Sequence, residues 1–339
     1  MNETVFPFSI KDFRVEIKNL KDTICKLFAQ CNLPDVVGDI VPVSGGLMHK
    51  MYKVQTARGT YAVKCLNPQI MKRPGVFENY ARAEALEKIL EENGIPIVPA
   101  LTFDGKKMLE SDGRYFYIFA WQNGQITDPE NISQEQCFKA GEILGRIHAL
   151  DPQNVEPVEP ELSSIDFTRY LSPDDENLEL LEYAQTRLNQ ARKMLPSMKS
   201  ISNDDMDPKN IMWHNGAPYV IDLECLGYSN PIESCLNLAL QWSGTVNEKF
   251  NKENLAAFFK GYLSAYDNGF RSYDELFGIA YTWLEWLEYN FKRAQGLEGT
   301  TEEEIQLGRT EVINTIARIK YLRSIEDEVC DVINKEVKK

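Results

Sequence analysis

The sequence predicts an α+β protein in which a small β-rich lobe is followed by a larger helical lobe. Short runs rich in β-branched and aromatic residues are concentrated before residue 122, whereas apolar residues at helical spacing dominate after it. The segment Gln122-Asn123-Gly124 lies at this change of composition. A chain of 339 residues is also long enough for two domains of about 150 residues each. We therefore expect one domain at residues 1–121 and a second at 122–339.

In the first lobe, apolar residues from Ile17 to Phe28 recur at helical spacing and predict an amphipathic helix that ends near Asn32 and Pro34. A second helix is expected at 77–93, where Gly94 follows it. Between and after these helices the composition is that of strands separated by Gly-containing turns. The expected strands are 41–43, 51–55, 61–66, 100–103 and 115–121.

In the second lobe, Ser133 and Gln136 form a capping-box pattern for a helix that reaches Leu150. Helical periodicity returns at 178–195, 254–266, 273–295 and 302–335. Residues 201–224 interrupt this pattern with a polar loop, a short strand, a turn at Asn215-Gly216 and a second strand, YVIDLE.

Charge and composition exclude several classes of function. The chain has 37 Lys and Arg against 51 Asp and Glu, a net charge of −14, which disfavours binding to nucleic acid. No apolar run reaches the roughly 18 residues of a membrane span, and the N-terminal residues lack the pattern of an export signal. The seven cysteines form no CxxC pair, and the three histidines are widely separated, which disfavours a disulfide or zinc framework. We expect a cytoplasmic protein.

Some residues of the first lobe suit phosphate binding, although each also has an ordinary structural explanation. Gly45 and Gly46 lie between strands, where backbone N–H groups could approach an anion or simply form a turn. Lys64 lies on a strand and could face this loop or be a surface charge. On the following helix we choose Glu84 as a partner for a lysine that faces a cleft, because Tyr80 and Ala81 lie one turn before it. Glu78 and Glu87 are interpreted as solvated.

The interrupted segment of the second lobe is rich in oxygen-bearing side chains. Asp205 precedes Asn210 by five residues, and Asp222 follows twelve residues later. This set offers one possible proton acceptor and two ligands suited to a hard cation such as Mg²⁺. The spacing alone is not specific, but the order of parts along the chain is that of kinase-like phosphoryl-transfer enzymes.

The segments NDDMDPKNIMW and VIDLE resemble the HGDLHPxN loop and the IDxE strand of the aminoglycoside phosphotransferase and choline kinase family. The segment GGLMHKMYKV resembles that family's phosphate loop, and the likeness runs in order from Val41 to Leu240. The resemblance implies a protein-kinase-like two-lobe fold, with a small antiparallel sheet in the N-terminal lobe and a mostly helical C-terminal lobe.

The resemblance also implies a role for each matching residue of the second lobe. Asp205 would orient the acceptor hydroxyl and take its proton, and Asn210 and Asp222 would bind Mg²⁺. Asn203 and Asp204 stand where the family has His and Gly, so the Asn203 amide would replace the bracing that the His supplies. Asp205 keeps the family's spacing to Asn210, whereas Asp204 is one residue out of phase and is expected to point elsewhere.

In the first lobe, the resemblance implies that Lys64 holds the α- and β-phosphates of ATP or GTP and that Glu84 pairs with Lys64. The backbone near Ala120 and Gln122 would bind the edge of the base. The residues that would cover the phosphates are Ser44, Gly45 and Gly46.

Together these features predict a Mg²⁺-dependent kinase that transfers the γ-phosphate of ATP or GTP to a hydroxyl of a small, cationic molecule. An aminocyclitol antibiotic, a choline-like compound and an amino sugar all fit, and the acceptor and the oligomeric state stay open. Two alternatives come from other classes: a pseudokinase that binds nucleotide without turnover, and a hydrolase that uses the Asp cluster alone. His148 is interpreted as a packing histidine, and Trp242, Trp283 and Trp286 as core or pocket-wall residues.

Overall fold

The computed structural model describes residues 10–43, 48–150, 156–157, 159–298 and 301–337, with side chains from Asn19 onward. Contacts divide the chain into two compact units. The N-terminal unit comprises Met1–Asn79 and Val98–Asn123, and the C-terminal unit comprises Tyr80–Ile97 and Gly124–Lys339. Each unit contains its own hydrophobic core. None of the helices within these ranges is both long and apolar enough to span a bilayer.

The N-terminal unit is built around an antiparallel sheet. Its helices and strands are α1 (Ile10–Gln30), β1 (Val41–Val43), β2 (Lys50–Thr56), β3 (Gly59–Cys65), the start of α2 (Val76–Glu92), β4 (Leu109–Ser111) and β5 (Arg114–Ala120). The strand order is β1-β2-β3-β5-β4, so β3 lies in the middle of the sheet. Alternation along β3 places Val63 on the face that packs in the core with Ile24 and Phe28 of α1, and Lys64 on the opposite face.

One expected strand is wrong. In residues 100–103 the Leu101 N–H donates to the Ile118 carbonyl at 2.8 Å and Phe103 forms an isolated bridge, but the segment is not a strand. The fourth strand is instead β4, which the sequence did not suggest because it is only three residues long. Asp112 and Gly113, with φ of 51° and 71°, form the two-residue turn that joins β4 to β5.

The C-terminal unit is mainly helical and carries two small sheets. After the end of α2, its elements are β6 (Gln125–Ile126), α3 (Gln134–His148), α4 (Leu178–Met194), β7 (Ser200–Asn203), β8 (Ile211–His214), β9 (Ala217–Val220), β10 (Leu226–Ser229), α5 (Pro231–Trp242), α6 (Lys252–Ala265), a 3₁₀ helix (Tyr273–Thr282), α7 (Trp283–Ala294), α8 (Glu302–Ser324) and α9 (Glu326–Val337). One sheet has the order β6-β8-β9, and the other pairs β10 with β7.

The capping box predicted for α3 is confirmed, because Ser133 accepts from the Gln136 N–H while the Gln136 side chain accepts from the Ser133 N–H. The turn predicted at Asn215-Gly216 is confirmed too, with φ of 49° and 76°. The helix expected at 273–295 is divided into the 3₁₀ helix and α7, and the one at 302–335 is divided at Ile325.

The helix α5 is absent from the sequence-based prediction. Ten of its twelve residues are buried, including apolar residues on every side. Its larger polar side chains, Glu233, Asn237 and Gln241, are confined to one narrow line, so apolar residues occupy most of its surface and no broad polar face marks it as an amphipathic helix.

Helices α3 and α6 are in direct backbone contact. A Cβ atom at Gly141 would overlap the carbonyl oxygen of Phe258, and one at Gly261 would overlap that of Phe138. A Cβ at Gly145 would lie 2.6 Å from the Tyr262 carbonyl oxygen. Glycine at these positions is what allows the two helices to approach so closely.

Candidate active site

The segment that carries Asp205 is held at both ends by β-structure. Strand β7 leads into it and pairs with β10, and a short 3₁₀ turn at Pro208–Asn210 leads out of it into β8. Asp207 caps this turn by accepting a hydrogen bond from the Lys209 N–H at 3.1 Å. A loop between two paired strands can present side chains in a fixed geometry.

Asp205 and Asn210 are joined by hydrogen bonds. The Asn210 Nδ2 donates to the backbone oxygen of Asp205 at 2.7 Å and to its carboxylate Oδ2 at 2.9 Å. Because the amide nitrogen is used in this way, the Asn210 Oδ1 is the atom left to act as a ligand.

Asp222 lies beside this pair. The Ile221 N–H donates to the Asn210 carbonyl at 2.9 Å, which brings the residue after it next to the loop. Asp222 itself has φ of 61° and ψ of 68°, a left-handed conformation that is costly for a residue with a side chain. Strain of this kind is concentrated at functional sites, because it persists only where the surroundings enforce a side-chain direction.

The donor set fits Mg²⁺. An amide oxygen from Asn210 and a carboxylate from Asp222 are hard ligands, and Mg²⁺ commonly takes only one or two carboxylates and completes its shell with water and phosphate. Among the described residues, no group of three or more His, Cys, Asp or Glu side chains surrounds a common position.

Partial burial raises the pKa of Asp205 to about 6. The Lys209 ammonium, 3.6 Å from Asp205 Oδ1, opposes this rise, whereas the carboxylates of Asp207 and Asp222 add to it. Lys209 also forms an ion pair with Asp207 at 2.8 Å. Burial alone would lower the pKa of the Lys209 ammonium, but the carboxylates of Asp207 and Asp205 outweigh burial and raise it. A carboxylate with a pKa near 6 is ionised at neutral pH and is still basic enough to accept a proton.

Asn203 and Asp204 take different positions around the loop. Asn203 is fully buried, and its Oδ1 accepts from the Asp205 N–H at 3.3 Å. The Asp204 carboxylate accepts from the hydroxyls of Ser202 at 2.8 Å and Ser229 at 3.3 Å. The neighbouring carboxylates of Asp204 and Asp205 therefore have separate sets of hydrogen-bond partners.

His148 is a packing histidine, as the sequence predicted. Its Nδ1 lies 2.8 Å from the Tyr262 hydroxyl and its Nε2 lies 3.2 Å from the Ser202 hydroxyl. Burial lowers the pKa of His148 to about 3, so the ring is neutral. The histidine links α3 and α6 to the strand that leads into the loop.

The sequence analysis missed two contacts that fix α5 to this loop. The Ser234 and Ser202 hydroxyls are 2.7 Å apart, and the Trp242 Nε1 donates to the Met206 carbonyl at 2.9 Å. Trp242 is fully buried, as predicted, and its indole nitrogen orients the main chain next to Asp205. The indole N–H of a buried Trp needs a hydrogen-bond partner, and this requirement is the only signal in the sequence that pointed to the contact between Trp242 and the loop.

In the N-terminal unit, Lys64 is a buried residue of the sheet and not a surface charge. Only 6 % of it is exposed, and its neighbours across the strands are Met51 and Tyr117. The hairpin that carries it is closed by His49, whose Nδ1 accepts from the Asn67 N–H at 2.9 Å. A buried ammonium implies a specific electrostatic role, because burial of a charge is costly.

On α2, Glu84 is half-buried, whereas Glu87 is almost fully buried at 6 % exposure. The interpretation of Glu87 as a solvated charge is therefore wrong, while Glu78 is exposed as expected. One turn before Glu84, the Tyr80 hydroxyl donates to Glu224 at 3.5 Å, and burial and this carboxylate raise the pKa of Tyr80.

At the end of β5, Ala120 and Gln122 are exposed and flank Trp121. The backbone N–H of Trp121 donates a hydrogen bond to the Thr60 carbonyl at 3.1 Å. The Trp121 ring lies 4.4 Å from the Lys53 ammonium. Ser44, Gly45 and Gly46 lie outside the described residues.

Comparison with known proteins supports the interpretation of the fold. A model of the phosphotransferase enzyme family matches residues 39–276. No curated protein sequence matches significantly. A choline/ethanolamine kinase family protein from Mesorhizobium loti is similar in structure, with a TM-score of 0.65, 16 % identity, and coverage of 94 % of this chain and 99 % of the other.

Two further phosphate-transferring enzymes are also similar in structure. An amicoumacin kinase in complex with AMP-PNP, Ca²⁺ and Ami has a TM-score of 0.60 and 12 % identity, and the match covers 94 % of this chain and 96 % of the other. A spectinomycin phosphotransferase in complex with ADP and spectinomycin has a TM-score of 0.59 and 14 % identity, with 97 % and 98 % covered. At these identities the likeness establishes the kinase-like α+β fold. With the family model matching more than two thirds of its length, the chain belongs to the phosphotransferase enzyme family.

Proposed function

We propose that this chain is a kinase that transfers the γ-phosphate of ATP or GTP to a hydroxyl group of a small, cationic molecule. The observation that carries the proposal is the hydrogen-bonded pair Asp205 and Asn210 beside the strained Asp222. In a member of a phosphotransferase family, these three residues would supply a base next to two oxygen ligands.

Asp205 is the proposed base. Its carboxylate accepts the hydrogen bond of the acceptor hydroxyl, orients that oxygen towards the γ-phosphorus and takes the proton as the new P–O bond forms. The Asn210 amide holds the carboxylate in one orientation at 2.9 Å. Phosphoryl transfer needs little covalent chemistry from the protein, so positioning of this kind is the main contribution.

Asn210 Oδ1 and the Asp222 carboxylate would hold Mg²⁺. When bound, this ion neutralises charge on the nucleotide phosphates. The Ile221 N–H donates to the Asn210 carbonyl at 2.9 Å, which supports a shared role for Asp222 and Asn210 as ligands of one ion.

For the nucleotide, we propose that Lys64 binds the α- and β-phosphates and that Ser44, Gly45 and Gly46 cover them. The main chain at Ala120 and Gln122 would bind the edge of the base. We propose that Glu84 supports nucleotide binding; its neighbour Glu87 is more deeply buried and is the second candidate for this role.

The test has two stages. Thermal unfolding is first measured with and without Mg-ATP and Mg-GTP, because a ligand that binds the folded state raises the melting temperature. The chain is then incubated with nucleotide and each of a panel of acceptors, namely spectinomycin, kanamycin, choline, ethanolamine and an amino sugar. Mass spectrometry should detect a product that has gained one phosphate.

Matched variants identify the base. Asp205→Asn should abolish transfer and preserve stabilisation by nucleotide, whereas Asp204→Asn should retain most of the activity. Full activity in Asp205→Asn with loss in Asp204→Asn would show that the wrong carboxylate was assigned. Stabilisation by nucleotide without transfer to any acceptor would support a pseudokinase, and no stabilisation at all would support a hydrolase.

A further inference from the structure

Lys209 lies in the loop that carries the proposed base. It is the one Lys or Arg in residues 201–224, and it occupies the variable position x of the HGDLHPxN pattern, for which the family resemblance implies no role. Its backbone belongs to the 3₁₀ turn at Pro208–Asn210, so it is fixed in the same turn as the proposed ligand Asn210. Its side chain is 48 % exposed, so the ammonium is accessible to a substrate that arrives from solvent.

Asp207 holds this lysine at both its backbone and its ammonium. The Oδ1 of Asp207 accepts from the Lys209 N–H at 3.1 Å, and the Oδ2 accepts from the Lys209 Nζ at 2.8 Å. The Asp207 side chain is only 13 % exposed, so this anchor is itself fixed by its surroundings. A lysine side chain is otherwise flexible, and the bond to Asp207 confines its ammonium to one side of the loop. An ammonium has three N–H donors, so two are left for a ligand.

The ammonium lies next to one particular oxygen of Asp205. The Asn210 Nδ2 donates to Asp205 Oδ2 at 2.9 Å, which leaves Oδ1 to accept a hydrogen bond from an acceptor hydroxyl. The Lys209 Nζ is 3.6 Å from this Oδ1, which is too far for a hydrogen bond but close enough for the two charges to interact. The cation is therefore beside the atom that would take the proton.

The proposed reaction develops negative charge at this position. The acceptor oxygen forms a bond to the γ-phosphorus, and its proton passes to Asp205 Oδ1. The bond between that phosphorus and the oxygen it shares with the β-phosphate breaks, and the electron pair leaves with the nucleoside diphosphate. During transfer the charge is spread over the three equatorial oxygens of the phosphoryl group. The acceptor oxygen is about 2.8 Å from Oδ1 and about 3 Å from the phosphorus, so rotation of the Lys209 side chain brings its ammonium to an equatorial oxygen.

We propose that Lys209 is a further catalytic residue, whose ammonium donates a hydrogen bond to an equatorial oxygen of the γ-phosphoryl group during transfer, and that Asp207 is the residue that positions it. The ammonium stays protonated throughout and supplies charge and N–H donors. A fixed cation at the point where charge develops stabilises the transition state more than the bound substrates. It also offsets the repulsion between the Asp205 carboxylate and the phosphates. This inference rests on the proposed kinase activity and adds a residue to its mechanism.

The experiment uses the full chain and four variants. Lys209→Met removes the charge, Lys209→Arg keeps it, and Asp207→Asn weakens the anchor. Lys252→Met makes the same change as the first at an exposed lysine in the first turn of α6. The kcat and the KM values for nucleotide and acceptor are measured at about pH 9, where Asp205 is ionised, with each acceptor of the panel. Thermal unfolding is measured without ligand, with Mg-ADP, and with Mg-ADP plus fluoroaluminate, an anion that mimics the transferring phosphoryl group.

We expect Lys209→Met to lower kcat about 100-fold, as for the loss of one donor to a transition state, while both KM values stay within about threefold. Lys209→Arg should lose less than about tenfold, Asp207→Asn should lower kcat less than Lys209→Met does, and Lys252→Met should match the wild type. Fluoroaluminate should raise the melting temperature of the wild type above its value with Mg-ADP alone. In Lys209→Met this additional rise should disappear, whereas the rise caused by Mg-ADP should remain.

Three results would overturn the inference. If Lys209 acted only through the charge of Asp205, the kcat of Lys209→Met at this pH would equal that of the wild type. An additional rise with fluoroaluminate that persists in Lys209→Met contradicts the contact with the phosphoryl group. An unchanged kcat in Asp207→Asn removes the positioning role of Asp207. Each of these leaves the proposed kinase activity standing, whereas absence of transfer by the wild type to every acceptor refutes the kinase activity itself, and the inference with it.

Discussion

His148 should make the stability of the C-terminal unit depend on pH in a way that its burial determines. Both ring nitrogens have partners, Tyr262 and Ser202, and burial lowers the pKa of His148 to about 3. The unfolded chain binds a proton at this residue near pH 6.5, whereas the folded chain excludes it down to about pH 3. The contribution to stability is therefore complete above pH 6.5 and is lost as the pH falls. The loss amounts to about 2 kcal/mol between pH 8 and pH 5.

Equilibrium unfolding in urea at pH 8 and pH 5 measures this effect. His148→Gln should be less stable than the wild type at pH 8, because buried hydrogen bonds are lost. Between pH 8 and pH 5 its free energy of unfolding should fall by about 2 kcal/mol less than that of the wild type. Titration of carboxylates affects both proteins and cancels in the comparison. His214→Gln makes the same substitution at an exposed position and serves as the matched control for the change of residue type. If His148→Gln lost as much stability on acidification as the wild type, the neutral buried ring would be refuted.

Two further predictions concern the loop and the crossing of α3 with α6. Lys209→Met removes a cation 3.6 Å from the Asp205 carboxylate. At a water-like dielectric this interaction stabilises the ionised carboxylate by about 1.2 kcal/mol, so its loss should raise the pKa of Asp205 by about 0.8 unit. The acid limb of the kcat/KM profile should move to higher pH by the same amount. Lys209→Arg should leave the limb in place, and an unmoved limb in Lys209→Met would exclude Asp205 as the titrating base. Gly261→Ala, which forces the crossing helices apart, should lower the free energy of unfolding by about 3 kcal/mol or more in urea titrations. In Gly59→Ala the added Cβ has no neighbouring atom within 4 Å, so the free energy of unfolding should change little. Equal effects of the two substitutions would contradict the close contact between α3 and α6.

Local signals in the sequence were sufficient for much of the fold. Asp112-Gly113 and Asn215-Gly216 adopt positive φ angles that few other residue pairs tolerate, so both turns could be located from residue type alone. Ser133 and Gln136 likewise form their capping box from groups three residues apart. The order of Asp205, Asn210 and Asp222 could be related to a known family, and Asn210 is hydrogen-bonded to Asp205 in the structure.

The features that the sequence did not reveal depend on contacts between distant segments. The helix α5 has only a narrow line of polar residues and no broad polar face, and its contacts with the loop join residues 32 and 36 positions apart. Glu87 lies on the same face of α2 as the buried Ala83, Leu86 and Leu90, but which group meets its carboxylate is decided by the tertiary fold. His49 and Asn67 meet because the β2–β3 hairpin brings its two ends together. In each case the partner is defined by the tertiary fold.

The backbone contact between α3 and α6 has a consequence for the dynamics of the C-terminal unit. Where carbonyl groups of one helix rest directly on the Cα atoms of the other, neither helix can slide or tilt without a clash. Amide hydrogens of Gln134–His148 and Lys252–Ala265 should therefore exchange with deuterium together, as one cooperative block. Since His148 on α3 contacts Ser202 on the strand before Asp205, we expect the amides of this strand to be protected from exchange together with the two helices.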